Sequence, residues 1–212
     1  MKEDMTREET AKILHTHLLE TGQAVERMPL NSPQVVEGLL YVPTGIAKIY
    51  GVNDRGLTIN TDLLFTSEWF LLEADSYLSS DQFFLEPLRH SSLQFLPLEG
   101  LSLKRESLQV FCYPFTKARL RRIHQQKVRN HDFALEARLQ FLLADFMKYY
   151  GEKKGEFMHM PAYFRHEDLA SMLKTSRQNL TTTLSKLKAS GTLRYCRKEF
   201  VIPYNNFTAL TR

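Results

Sequence analysis

The chain has 212 residues, 43% of them hydrophobic and 25% charged, with a formal net charge of +4. These values describe a folded chain long enough for one large domain or two ordinary ones, and they exclude a disordered, collagen-like or disulfide-stapled polypeptide. Cys112 and Cys196 form no zinc or iron–sulfur ligand spacing, and two unpaired cysteines fit a reducing compartment. The start, MKEDMTREETAKIL, lacks a secretion signal's apolar core, and no apolar run is long enough to span a membrane. A cytoplasmic protein without a membrane partner is expected.

In TREETAKILHTHLLE (6–20), Ile13, Leu14, Leu18 and Leu19 have the spacing of one helix face, and Thr6 with Glu9 has the form of a capping box. From Gly22 to about Leu103 the texture changes to short apolar or alternating runs such as VVEGLLYV, GIAKIYGV, LTINTDLLF, QFFLEPL and LQFLPL. Turn residues break them, which predicts an all-β sandwich or roll. Pro114 suits the first turn of a helix. Two helices with a break near His131 are predicted beyond it. The first, 116–131, is thinly apolar and rich in basic residues. The second carries Phe133, Ala137, Leu139, Phe141, Leu142 and Phe146. GEKKGEF (151–157) reads as a linker.

The last segment is basic. Residues 160–212 hold nine Lys and Arg against three acids, so the first 159 residues carry 19 basic and 21 acidic side chains. Such a distribution is the electrostatic footprint of nucleic-acid binding, although a solvated basic face has the same signature. HEDLASML (166–173) predicts a helix, Lys174-Thr175 a turn, and Thr175 or Ser176 the cap of a second helix reaching about Ala189. TLRYCRKEFVIPY predicts a hairpin with a basic tip. This order is a winged helix-turn-helix, whose second helix enters the major groove. In TSRQNLTTTLSKL (175–187), Leu180, Leu184 and Leu187 share one stripe. Gln178, Thr181, Thr182 and Ser185 share another, with Arg177 at its N-terminal edge. Short hydroxyls and an amide can pair with base edges, and threonine methyls can touch the thymine methyl.

FRHEDLASMLKTSRQNLTTTLSKLKASGTLRY resembles the winged-helix domain of the CRP/FNR transcription regulators, and LLYVPTGIAKIYGVNDRGLTINTDLL resembles their sensor hairpin, with Gly45 at its glycine position. The resemblance spans roughly residues 10–204 and implies an α+β fold. An N-terminal β-roll, a cyclic-nucleotide-binding-like double-stranded β-helix, would occupy 1–113. A connecting dimerisation helix would follow at 114–131, and a winged helix-turn-helix DNA-binding domain at 132–212. It implies a homodimer on a pseudo-palindromic operator in double-stranded DNA, with RNA polymerase and an unidentified small-molecule effector as further partners. Arg177, Gln178, Thr181, Thr182 and Ser185 are the expected base contacts, and Arg165, Lys174, Ser176, Lys186 and Lys188 the expected phosphate contacts. The basic stretch 116–131 offers no ordinary zipper, so either the dimer seam draws on Leu103, Leu108 and Phe111 or the helix starts before Pro114.

The departures from the family pattern carry chemistry. Gln178 stands at the usual glutamate position and Thr182 at the usual second arginine, so the operator should differ from the family's common half-site. Lys174 replaces the turn glycine, which requires either a left-handed lysine or another turn. In the sensor, Glu68 stands at the ribose-binding carboxylate but without its preceding glycine, and Ser80, Asp81 and Gln82 surround the phosphate-arginine position. Without that cation, cyclic AMP is not the expected effector. Glu68, Trp69, Phe70, Tyr77 and Phe83 are the candidates for lining another effector's pocket, the competing reading being that the aromatics fill the roll's core.

No cofactor, metal or catalytic residue is expected. Ser171 to Lys174 fits SxxK without partner motifs, His15 and His17 diverge on a helix, and no Walker loop, dinucleotide fingerprint or HExxH occurs. Besides a sequence-specific transcription regulator, a ligand- or protein-binding β-roll whose winged helix makes protein contacts fits the residues.

Overall fold

A computed structural model describes residues 6–31, 36–54, 56, 58–73 and 82–211. The chain divides into an N-terminal unit ending at Ile123 and a C-terminal unit beginning at His124. Tyr77, Ser80 and Asp81 lie outside the described residues.

The N-terminal unit opens with α1 (Arg7–Thr21), and the Thr6–Glu9 capping box forms as the sequence predicts. Leu14 and Leu18 are buried, but Leu19, expected on the same face, is exposed. Among the described residues the strands that follow are β1 (Gln23–Ala24), β2 (Met28–Pro29), β3 (Gly38–Thr44), β4 (Ile46–Val52), β5 (Thr58–Phe65), β6 (Trp69–Leu72), β7 (Gln82–Pro87) and β8 (Ser92–Pro97). They make two antiparallel sheets of order β1-β8-β3-β6 and β2-β7-β4-β5. The chain passes from one sheet to the other at Gly45, whose φ is +76°. A Cβ there would overlap the Ser91 hydroxyl, so glycine is required for conformation and for space.

Between the sheets lies a core of Leu40, Val42, Ile49, Leu64, Phe70, Leu72, Leu85 and Phe95. A second cluster covers the other face of the first sheet, where Leu39, Trp69 and Leu96 meet Leu14 and Leu18 of α1 and Leu108, Phe111 and Cys112 of the next helix. Both faces of β3 and β6 are therefore buried, which explains why LLYV and WFLL read as unbroken apolar runs rather than alternating ones.

That helix, α2, spans Arg105–Asp132 and contains Pro114. Of the two alternatives the sequence left, the helix starts before Pro114, with the proline accommodated inside it. Pro114 has no N–H for the Val110 carbonyl, but this flank of α2 is exposed and water can serve that carbonyl. Leu108 and Phe111, expected in a dimer seam, instead enter the second cluster, and Leu103 packs against it. Cys112 is buried there too, and burial, with the nearby Glu73 charge second, pushes its thiol up to about 12. Cys196 is exposed. A thiol reagent at pH 8 is expected to modify Cys196 at once and Cys112 only on unfolding. Mass spectrometry of the labelled protein checks this, and rapid native labelling of Cys112 would contradict the packing.

The C-terminal unit holds the tail of α2, then α3 (Leu135–Tyr150), β9 (Glu152–Lys154), β10 (Phe157–Pro161), α4 (His166–Met172), α5 (Arg177–Ala189), β11 (Arg194–Tyr195), β12 (Glu199–Pro203) and α6 (Tyr204–Leu210). GEKKGEF is not a linker. It forms the β9–β10 hairpin, turning near Gly155 at φ +58°, so the wing is a four-stranded sheet of order β11-β12-β10-β9. Leu139, Leu143, Phe146 and Met147 of α3 are buried, as are Met158, Met160, Phe200 and Ile202 of the sheet and Leu180, Leu184 and Leu187 of α5. No helix among the described residues is long and apolar enough to cross a membrane.

Candidate nucleic-acid interface

Helix α5 explains how a threonine run can be helical. Ser176 caps it, its hydroxyl accepting the Asn179 N–H at 3.1 Å. Leu180, Leu184 and Leu187 are fully buried, and Thr183 is buried beside them. Each hydroxyl then donates back to the carbonyl four residues earlier: Thr181 to Arg177 (2.9 Å), Thr182 to Gln178 (3.1 Å), Thr183 to Asn179 (2.9 Å) and Ser185 to Thr181 (2.9 Å). Hydroxyls that would compete with the helix from outside are thus bonded along it. The sequence predicted one exposed polar stripe, and Arg177, Gln178, Thr181, Thr182 and Ser185 are all exposed. With the hydroxyl protons turned inward, what faces out is acceptor lone pairs, γ-methyls, an amide and a guanidinium. Acceptors match the amino groups of adenine or cytosine, and methyls match thymine.

The turn before α5 takes the strained option. Lys174 has φ +49°, the left-handed region. The Thr175 N–H donates to the Ala170 carbonyl at 3.0 Å and the Lys174 N–H to the Ser171 carbonyl at 3.1 Å. This pair of bonds is a Schellman motif with lysine where glycine is usual. Its side chain stands exposed at the edge of α5.

Arg165, Lys186 and Lys188 are exposed around the same helix, as are Arg194, Arg197 and Lys198 of the wing. The three acids of this segment do little to offset them. Asp168 is buried and accepts the Arg165 backbone N–H at 2.9 Å, capping α4. Glu199 faces His159 at 3.0 Å. Glu167 pairs with Arg177 at 2.9 Å, but both are well exposed, so Arg177 can leave that pair at small cost. His166, missed in the sequence, lies 3.4 Å from the Thr181 hydroxyl and stacks edge-on near Tyr195, linking the helix to the wing. Its place at the start of α4 was legible, but its neighbours were not.

Among the described candidate effector residues, Trp69 does not share a cluster with Phe70 and Phe83. Trp69 and Phe70 lie on opposite faces of β6: Trp69 in the cluster with α1 and α2, Phe70 inside the roll, where Phe83 also packs. Glu68 is buried and already bonded. Its carboxylate accepts both terminal nitrogens of Arg122, at 2.7 and 2.8 Å, and the Phe65 N–H at 3.0 Å. One turn earlier, Arg119 donates to Asp62 at 2.6 Å and lies over the Phe70 ring. Among the described residues no cluster of potential ligands could hold a metal ion.

Residues 137–210 match the family model of the Crp-like helix-turn-helix domain. No curated protein matches the chain. Among solved structures it is similar to a CRP-family transcriptional regulator from Thermus thermophilus (14% identity, 90% of this chain and 95% of that one, TM-score 0.68). It is also similar to FixK2 from Bradyrhizobium japonicum (15%, 90% and 96%, 0.67) and to a mutant CooA from Carboxydothermus hydrogenoformans (15%, 90% and 85%, 0.62). At these identities the likeness is one of fold.

Proposed function

We propose that this chain is a transcription regulator of the CRP/FNR type that reads a pseudo-palindromic operator as a homodimer; the match of residues 137–210 to the Crp-like helix-turn-helix model and the likeness in fold to CRP/FNR regulators support the reading. The observation that carries the reading is the exposed polar stripe of α5, together with the exposed cations of α5, of the turn before it and of the wing. Arg177, Gln178, Thr181, Thr182 and Ser185 meet base edges. Arg165, Lys174, Ser176, Lys186 and Lys188 meet phosphates, the wing cations reach the neighbouring backbone, and RNA polymerase is a further partner. The protein works in the bacterial cytoplasm, without cyclic AMP and without catalysis. The missing phosphate arginine and the engagement of Glu68 by Arg122 support independence from cyclic AMP.

The dimer seam is assigned to the flank of α2 where Val110, Tyr113, Leu120 and Val128 are exposed. Lys117 and His124 interrupt that stripe at near-heptad spacing, which makes it a weak zipper on its own. Selection of bound DNA from a random library with the full chain is expected to return an inverted repeat with half-sites about 10–10.5 base pairs apart or a multiple of that. Leu120→Glu, which places a charge in the seam, is expected to give a monomer by analytical ultracentrifugation and to lose the inverted repeat. Recovery of no common sequence would sink the functional reading, and a Leu120→Glu dimer would move the seam elsewhere.

A further inference from the structure

The end of α4 raises a hydrogen-bond question that the Schellman turn only half answers. A helix leaves its last four carbonyls without partners inside the helix. Here the turn satisfies those of Ala170 and Ser171, and Leu169 receives the Leu173 N–H. The carbonyls of Met172 and Leu173 remain, both in buried residues, where an unpaired acceptor is costly.

Three side chains from elsewhere in the C-terminal unit close on them. Gln126 Nε2 donates to the Met172 carbonyl at 2.7 Å, and Asn130 Nδ2 donates to the same oxygen at 3.1 Å. Arg138 Nη1 donates to the Leu173 carbonyl at 3.0 Å and to the Asn130 carbonyl at 3.3 Å. Gln126 and Asn130 lie one turn apart on the tail of α2, and Arg138 is on α3. Arg129 of the same tail pairs with Asp145 of α3 and lies over Phe141, so the tail and α3 are themselves tied together.

We infer that Gln126, Asn130 and Arg138 are positioning residues that set the angle at which α5 leaves the turn, by holding the two α4 carbonyls the left-handed lysine leaves unbonded. The inference rests on the reading of α5 as the base-reading helix. Stability alone gives a poorer account of the chemistry. Arg138 Nε is buried with no hydrogen-bond partner, so one nitrogen of this guanidinium is desolvated without a bond while another makes the contacts to the turn. A cap for two carbonyls needs no such group, whereas fixing one orientation of a turn gains from a planar donor anchored in a second helix. The Leu173 carbonyl is also only three residues from the Ser176 cap. A small rotation at Leu173–Lys174 therefore swings the whole stripe, and base pairing tolerates little misalignment.

The test compares wild type with Arg138→Met, the rescue variant Arg138→Lys, and the double variant Gln126→Leu/Asn130→Leu, all in the full chain. Amide hydrogen exchange across residues 173–180 is expected to quicken by about tenfold in Arg138→Met and in the double variant, with partial recovery in Arg138→Lys. Preference for the selected operator over random DNA should fall by a similar factor, while random-DNA affinity and its salt dependence stay unchanged. If Arg138→Met does not fold, the double variant decides. Unchanged exchange in the turn, or equal loss on operator and random DNA, overturns the inference. Faster exchange in the variants of a wild type with no sequence preference would support the clasp and remove the base-reading role of α5 instead.

Discussion

Asp62→Ala is expected to destabilise the N-terminal unit by about 3–5 kcal/mol, because it strands a buried cation. The Arg119 and Asp62 side chains are only 10% and 8% exposed. The guanidinium lies over the Phe70 ring, so little of it can turn to solvent. Removing both charges is a different matter. Asp62→Leu with Arg119→Met replaces the pair by apolar groups of similar volume, and most of the loss should return. Trp69, the chain's single tryptophan, sits in the cluster shared by α1, α2 and the first sheet. Denaturant unfolding followed by its fluorescence therefore reports on this unit rather than on the winged helix. A double variant as unstable as Asp62→Ala would mean that the pair contributes more than mutual compensation.

The same pair shows where sequence reading stopped. Arg119, Arg122 and Arg129 stand in a stretch that reads as too basic for a helix seam. Their partners Asp62 and Glu68 are 57 and 54 residues away in the chain, and no local pattern announces them. Seen with those acids and Asp145, the three arginines are internal ties of α2, distinct from its exposed apolar flank. The local rules fared better. The Thr6–Glu9 box, the Ser176 cap, the leucine stripe of α5 and the left-handed lysine all depend on residues close together in the chain. GEKKGEF failed as a linker because charge and glycine describe an exposed edge hairpin equally well. Lysines on an edge strand also discourage pairing with other chains, and only the register with β10 separates the two cases. For the same reason the clasp on α4 was invisible: glutamine, asparagine and arginine on helices are ordinary until the carbonyls they face are known.

Thr182→Arg is expected to rewrite the operator. Thr182 is exposed at the middle of the stripe, and its hydroxyl is bonded only to its own helix, to the Gln178 carbonyl. Replacing it breaks no tertiary contact of that hydroxyl, and arginine is the better helix former. The resemblance places an arginine at this position in the regulators of the family, and a bidentate arginine is suited to guanine O6 and N7. Threonine offers a methyl and an acceptor instead, which suits thymine or an amino group. Selection with Thr182→Arg should therefore enrich guanine at the contacted position of both half-sites, by about 1–3 kcal/mol of discrimination each. Thr182→Ala should relax that position without creating a new preference. Arg177→Ala serves as the contrast: it removes a guanidinium at the groove edge and should weaken binding without moving the guanine signal. The proposed homodimer would present Thr182 twice, so the change should appear symmetrically about the centre of the site. A guanine gained in one half only would contradict the two-fold arrangement, and an unchanged operator would place Thr182 outside the groove.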